Sequence, residues 1–234
     1  MEEFTGVGCV KCPAGSAVIK DLIGIHGEQL IAISIHSSGG FSVPRPQNQY
    51  DFRTTEGDAL NDYLGGPLGF PSAVINRKPF GGSSSLQVGR NEWAGHIDEE
   101  KAIAPKVKLD IETEFDDATR NATIDVTIFV EETITDPDVN LSLIFTEDDI
   151  VDFQDSDNGP ILDYHHEHVL RGMATPYDGQ PLTEDLTVGE KITKSFNYQI
   201  PTEWKQNNVN VIAVVSLTGT RKDVLQAHKV HLVE

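Results

Sequence analysis

Apolar positions change their period once along this chain. In the first part Ala17, Val18, Leu22 and Ile25 recur at three- and four-residue spacing, which predicts a helix over Pro13–His26. Pro13 suits the first helical turn, and Gly27 suits a helix end. Gln29–Ile35 is a short apolar run rich in β-branched residues, the pattern of a buried parallel strand. Residues 37–50, rich in Ser, Gly, Pro, Asn and Gln, predict a loop. A second helix is expected over Thr55–Leu64, closed by Gly65-Gly66. Pro71–Asn76 reads as a strand entered through proline, Gly81–Ser85 as a loop, and Asn91–Ala102 as a third helix carrying Trp93 and Ile97.

Beyond Pro105 the period becomes two. Lys106–Phe115, Thr123–Val130 and Val139–Phe145 alternate apolar with polar residues, and turns containing Asp, Asn or Pro separate them. Thr187–Ile200, Val209–Thr218 and Val224–Val233 complete six strand-like segments without matching helices. They predict an antiparallel β-sandwich. Tyr164–Gly172 interrupts them as a short helix or an extended crossing. The expected architecture is therefore α/β plus all-β, with domains at 1–104 and 105–234.

Charge sharpens this division. The net charge is −19 over 234 residues. Residues 1–104 hold 8 basic and 12 acidic side chains, whereas residues 105–234 hold 10 and 25. A surface this acidic repels nucleic-acid phosphates and anionic lipid headgroups, so nucleic acid is excluded as a partner. No apolar run approaches the roughly 18 residues that span a bilayer as a helix. Met1-Glu2-Glu3-Phe4 has neither the basic start nor the apolar stretch of a signal peptide, so the expectation is a mature chain. Any membrane association would come only through an anchor upstream of Met1.

The one strong candidate for chemistry is Cys9-Val10-Lys11-Cys12, which holds the only two cysteines. A disulfide scaffold needs more cysteines, and a four-ligand zinc site needs two further ligands. At a helix start, unsatisfied N–H groups stabilise a thiolate on the first cysteine. Cys9 is then the nucleophile and Cys12 the resolving thiol, with Lys11 adding positive charge. Gly69-Phe70-Pro71-Ser72 precedes a strand, where thioredoxin-like folds carry a cis-proline against the cysteine pair. On that resemblance Pro71 joins Cys9 and Cys12 as a catalytic candidate. A typical thioredoxin has Trp before the first cysteine; Gly8 stands there here. The alternative is that Cys9 and Cys12 form a plain stabilising disulfide.

Glu3-Phe4-Thr5-Gly6-Val7 followed by Cys9-x-x-Cys12-Pro13-Ala14-Gly15 resembles the opening of the outer membrane protein 28-related family of Gram-negative envelope proteins. Ile33–His36, Phe41–Pro44, Gly69–Arg77, Tyr164–Arg171 and Val224–Ala227 are similar to later stretches of that family. The resemblance implies a thioredoxin-like N-terminal domain, a β-rich C-terminal domain and a place in the cell envelope, whether outer membrane, periplasm or secreted. It implies no known reaction.

Other constellations carry less. His165, His166 and His168 lie near Asp152, Asp155, Asp157, Asp163 and Glu167, a donor set that suits zinc or calcium. Asp155–Gly159 departs from a calcium loop, because its Gly comes at position five and His166 occupies position twelve. The favoured reading is an acidic turn beside a structural His segment, so neither a metal nor another cofactor is assigned. No Gly-x-Ser-x-Gly elbow occurs, and Gly81–Ser85 lacks the Lys of a phosphate loop. Two functions stay open. One is thiol–disulfide exchange with a thiol or disulfide protein substrate. The other is a non-catalytic surface or binding protein that uses the fold as a scaffold. The sequence leaves the oligomeric state unknown.

Overall fold

The computed structural model describes residues 1–67 and 69–233. In chain order its elements are β1 (Glu2–Phe4), α1 (Cys12–His26), β2 (Ile33–Ile35), α2 (Thr55–Tyr63), β3 (Ser72–Val74), β4 (Gln87–Gly89) and α3 (Trp93–Lys101). There follow β5 (Val107–Asp116), β6 (Asn121–Val130), β7 (Val139–Glu147), β8 (Ile150–Gln154), β9 (Ile161–His166) and β10 (Val169–Met173). The last are β11 (Gln180–Pro181), β12 (Lys191–Gln199), β13 (Val209–Leu217) and β14 (Val224–His231).

The chain forms two compact units, Met1–Ala102 with Asp148–Gly172, and Ile103–Glu147 with Met173–Glu234. The reading from sequence gave every residue after 104 to one β domain. The structure returns Asp148–Gly172 to the first unit, and charge and periodicity cannot see that return. Of the two readings of Tyr164–Gly172, helix or extended, the structure has the extended one: the stretch supplies the end of β9 and most of β10.

In the first unit, strands run in the order β10-β2-β1-β3-β4. β1 pairs parallel with β2 and antiparallel with β3, β3 pairs antiparallel with β4, and β10 joins β2 in parallel through Val169 and Ser34. A separate antiparallel hairpin is made by β8 and β9. Helix α1 starts at Cys12, carries Pro13 in its first turn and stops at Gly27, whose φ of 58° favours glycine. Thr54 caps α2, its Oγ1 accepting the Gly57 N–H at 2.9 Å, and Glu56 and Asp58 in the first turn suit the helix dipole. Ile19 and Leu22 of α1 pack with Ala73 and Ile75, Val88, and Trp93 and Ile97 of α3 into one core. The Trp93 indole N–H donates to the Val88 carbonyl at 3.0 Å, so its large buried ring leaves no polar atom unsatisfied. β2 is shorter than Gln29–Ile35 predicts, because Gly27–Gln29 forms a 3-10 turn first.

The second unit is β-rich and antiparallel. One sheet runs β14-β13-β7 with β11 on β7, and a second runs β12-β6-β5. β6 alternates buried and half-buried residues along its whole length, the signature of a strand with one face on a core. Leu109, Ile124 and Ile128 from one sheet share that core with Leu141, Phe145, Val211 and Val215 from the other, as in a β-sandwich.

Candidate functional site

Cys9 and Cys12 are joined by a disulfide, with their Cα atoms 5.4 Å apart. The chain leaves β1 at Phe4 and turns through Thr5–Lys11. The Gly8 N–H donates to the Phe41 carbonyl at 2.8 Å, Cys9 N–H to Gly6 at 3.0 Å, and Cys12 N–H to Cys9 at 3.1 Å. A Cβ at Gly6 would meet the Phe41 carbonyl oxygen at 2.5 Å, so only glycine lets the two backbones approach this closely. Cys9 is 3% exposed and Cys12 1%, while Val10 and Lys11 between them stand in solvent.

The loop is held by residues that sequence reasoning missed. Gln154, at the end of β8, donates its side-chain amide to the carbonyls of Gly6 (3.2 Å) and Cys9 (3.1 Å). The Asp155 N–H donates to the Val7 carbonyl at 2.8 Å. Lys11 Nζ pairs with Asp157 at 3.1 Å, and Arg45 Nε pairs with Asp155 at 3.2 Å while its Nη2 reaches the Gly8 carbonyl at 3.5 Å. The acidic segment weighed as a calcium loop thus spends Asp155 and Asp157 on cations beside the cysteines. No spacing pattern marks contacts made across more than a hundred residues.

Pro71 follows a cis Phe70–Pro71 bond and packs on the first turns of α1. A Cβ at Gly15 would lie 2.8 Å from its ring and 3.0 Å from Oε1 of Glu3. Glu2 and Glu3 alternate in β1, and their carboxyls fare differently. Glu2 receives the buried Arg77 guanidinium, with Nη2 at 2.6 Å and Nε at 3.0 Å. Glu3 is wholly buried, and its Oε2 accepts only the Ser34 hydroxyl at 3.3 Å while Oε1 has no hydrogen-bond partner. Burial pushes the Glu3 carboxyl up to about 8, against the opposing pull of the Ser34 hydrogen bond. At neutral pH it holds a proton. The available signal was two adjacent acids, Glu2 and Glu3, just before Phe4 in a short strand.

The histidines disperse. His165 is exposed and pairs with Asp149, and His168 pairs with Asp148 at 2.9 Å. His166 is buried against Phe52 (4.7 Å between ring centroids), His36 (6.1 Å) and Tyr164 (4.8 Å). Burial lowers His36 to about 3 and His166 to about 4. The Asp152 carboxylate accepts the backbone N–H groups of Gln49 and Tyr50 and the Asn48 amide. Among the described residues no three His, Cys, Asp or Glu side chains converge as metal ligands.

The model of a family described as outer membrane protein Omp28 matches residues 58–234, so the cysteine pair precedes the matched stretch. No curated protein sequence matches the chain. Among solved structures, HBP35 of Porphyromonas gingivalis aligns with a TM-score of 0.76, covering 99% of this chain and 74% of its own at 15% identity. A protein of Agrobacterium tumefaciens aligns with a TM-score of 0.56, covering 100% and 93% at 13% identity. A domain of the outer membrane lipoprotein Omp28 from P. gingivalis aligns over 56% of this chain and 90% of its own, at 17% identity and a TM-score of 0.37. At these identities the first two likenesses are likenesses of fold.

Proposed function

The chain belongs to the outer membrane protein Omp28 family, and from that premise we propose that it is an envelope protein whose first unit is a thioredoxin-like domain exchanging disulfides through Cys9 and Cys12. Family membership assigns it to the cell envelope. The thioredoxin-like reading is supported by the order β2-β1-β3-β4, with β1, β2 and β4 running one way and β3 reversed, and by a helix that begins at the second cysteine.

The observation that carries exchange is the Cys9–Cys12 disulfide, with Cys12 opening α1. The fully buried carboxyl of Glu3, which keeps its proton at neutral pH, lies behind the first turns of α1, against Gly15. In the proposed reaction a substrate thiolate attacks Cys9 Sγ, the Cys9–Cys12 bond breaks, and Cys12 leaves as a thiolate. Solvent supplies the proton that neutralises it. A second substrate thiolate then attacks its partner sulfur in the mixed disulfide and releases Cys9. The substrate loses two electrons to form its disulfide, and the cysteine pair gains them. Pro71 holds the substrate strand beside the pair. The reverse sequence reduces a substrate disulfide. The partner is another protein's thiol or disulfide, and the acidic β unit binds or positions that partner.

The test is the reduction potential of the pair, by thiol trapping across a glutathione or dithiothreitol series. A value of roughly −270 to −120 mV supports exchange, and a bond resisting reduction below about −300 mV defeats it. A second reading, a scaffold with a permanent disulfide, is favoured by one observation: both cysteines are almost wholly buried, with Gln154 bracing the Cys9 carbonyl. That reading predicts the low potential.

A further inference from the structure

Exposed large apolar side chains are spread unevenly over the first unit. Among its described residues they are Val10, Phe41 and Val43, and elsewhere Ile25, Tyr50 and Leu162. The first three belong to two short segments that meet beside the disulfide, where the Gly8 N–H donates to the Phe41 carbonyl at 2.8 Å. Val10 lies between the two cysteines. Phe41 is 47% exposed, and its ring centroid lies 5.6 Å from that of half-buried Phe70, with the planes tilted by 57°. Phe70 precedes Pro71, which packs on the first turns of α1. Polar bonds fix the turn that carries Phe41. The Ser42 hydroxyl donates to the Thr5 carbonyl at 2.9 Å, and the Ser42 N–H to the Gly39 carbonyl at 3.0 Å. A turn fixed in this way presents an ordered ring, so docking on it costs little conformational freedom. Exposed apolar side chains gathered in one place mark interaction sites, whereas single scattered ones do not.

We propose that Val10, Phe41 and Phe70 form the face on which the exchange partner docks, and that this partner is an extended protein segment with an aromatic or branched apolar residue two positions from its own cysteine. The proposal rests on the exchange reading above and names its substrate class. Two observations choose this occupant. First, Cys9 and Cys12 are 3% and 1% exposed. A thiolate therefore reaches Cys9 only when the chain that carries it lies close over the turn. In an extended chain, side chains two residues apart face the same way, roughly 6.5 Å from one another. A cysteine turned toward Cys9 thus turns its second neighbour toward the same surface, where Val10 and the Phe41–Phe70 pair stand. Second, the charges nearby already have partners: Lys11 pairs with Asp157 at 3.1 Å, and Arg45 with Asp155 at 3.2 Å. A charged side chain on the partner gains nothing without breaking one of these pairs. An apolar one removes exposed rings from water.

The experiment follows reduction of the oxidised whole chain by blocked peptide thiols with a single cysteine. The peptides carry phenylalanine, serine or aspartate two residues before or two residues after that cysteine. Each rate is divided by the same peptide's rate with glutathione disulfide, which removes differences in thiolate content. The phenylalanine peptide is expected to react about tenfold or more faster than the serine peptide in at least one of the two positions, with the aspartate peptide slowest. Phe41→Ser should bring that ratio below about threefold. Ile25→Ser, which removes an exposed apolar side chain of α1, should leave the ratio in place. Dithiothreitol separates the two readings. If neither dithiothreitol nor any peptide opens the Cys9–Cys12 bond, exchange itself fails and the docking face falls with it. If dithiothreitol opens the bond but the three peptides react alike, or the ratio survives in Phe41→Ser, exchange stands and the docking face is overturned. If Phe41→Ser fails to fold, the ratio measured on the parent decides.

Discussion

Gln154 donates its side-chain amide to the carbonyl oxygen of Cys9, 3.1 Å away, although 145 residues separate the two. The same amide reaches the carbonyls of Gly6 and Asp155 at 3.2 and 3.0 Å. One side chain thus ties the turn bearing the disulfide to the end of β8. Gln154→Ala removes the donor from buried acceptors, which costs about 1–3 kcal/mol. Urea unfolding should show that loss, and thiol trapping under limiting dithiothreitol should show faster reduction of Cys9–Cys12. Unchanged reduction kinetics would mean that the brace does not restrain the pair.

Three glycines around the pair should rank by what their missing Cβ would meet. At Gly6 the obstacle is backbone, the Phe41 carbonyl at 2.5 Å. At Gly15 it is the Pro71 ring at 2.8 Å. At Gly8 it is the far end of the Arg45 side chain, which can swing away. Gly6→Ala should therefore be the most damaging of the three, Gly15→Ala should cost about 1–3 kcal/mol, and Gly8→Ala should cost least. Denaturation midpoints measure the ranking. Gly15→Ala should also slow any disulfide exchange, because it displaces Pro71, whereas Gly8→Ala should not.

His36 and His166 set an acid limit on the first unit. Both are neutral in the fold, with burial lowering them from an ordinary 6.5 to about 3 and about 4. Once unfolded, each accepts a proton near 6.5. Below that pH the unfolded state binds more protons, so stability is lost as pH falls from about 6.5 toward 4. His166→Phe, placed among Phe52, Tyr164 and His36, should remove about one proton of this dependence. Urea midpoints compared at pH about 7 and about 5 test it, and an unchanged slope would show that His166 protonates freely in the fold.

The sequence made α1 legible because Pro13, Gly27 and the spacing of its apolar residues agree with one another. It made β5, β6 and β13 legible because a long strand repeats its period often enough to be counted. β4, with three residues, and β8 to β10 were not legible. Their apolar residues are interrupted by Asp, His and Gly that become favourable only beside partners distant in sequence. Thus Asp152 needs the backbone of Gln49 and Tyr50, and Gln154 needs Gly6 and Cys9. The Cys9–Cys12 disulfide was legible as a local pair. Glu3 was not, since only the sheet order shows that β1 is a central strand, with β2 and β3 on either side.

Glu3 should give the chain a dependence on alkaline pH that is unusual for a glutamate. Its carboxyl ionises near 4.5 in the unfolded chain and is pushed up to about 8 in the fold by burial. Between those values the folded state holds a proton that the unfolded state has released. The stability linked to that proton is complete below about 4.5 and is lost as pH rises through 8, at a slope of about 1.4 kcal/mol per pH unit across the window. Glu3→Gln keeps the shape and the contact with Ser34 but cannot ionise. The variant should be little changed at pH about 4 and clearly more stable than the parent at pH about 8. Urea unfolding across that range gives the comparison. Parallel curves for parent and variant would mean that Glu3 is already ionised in the folded protein.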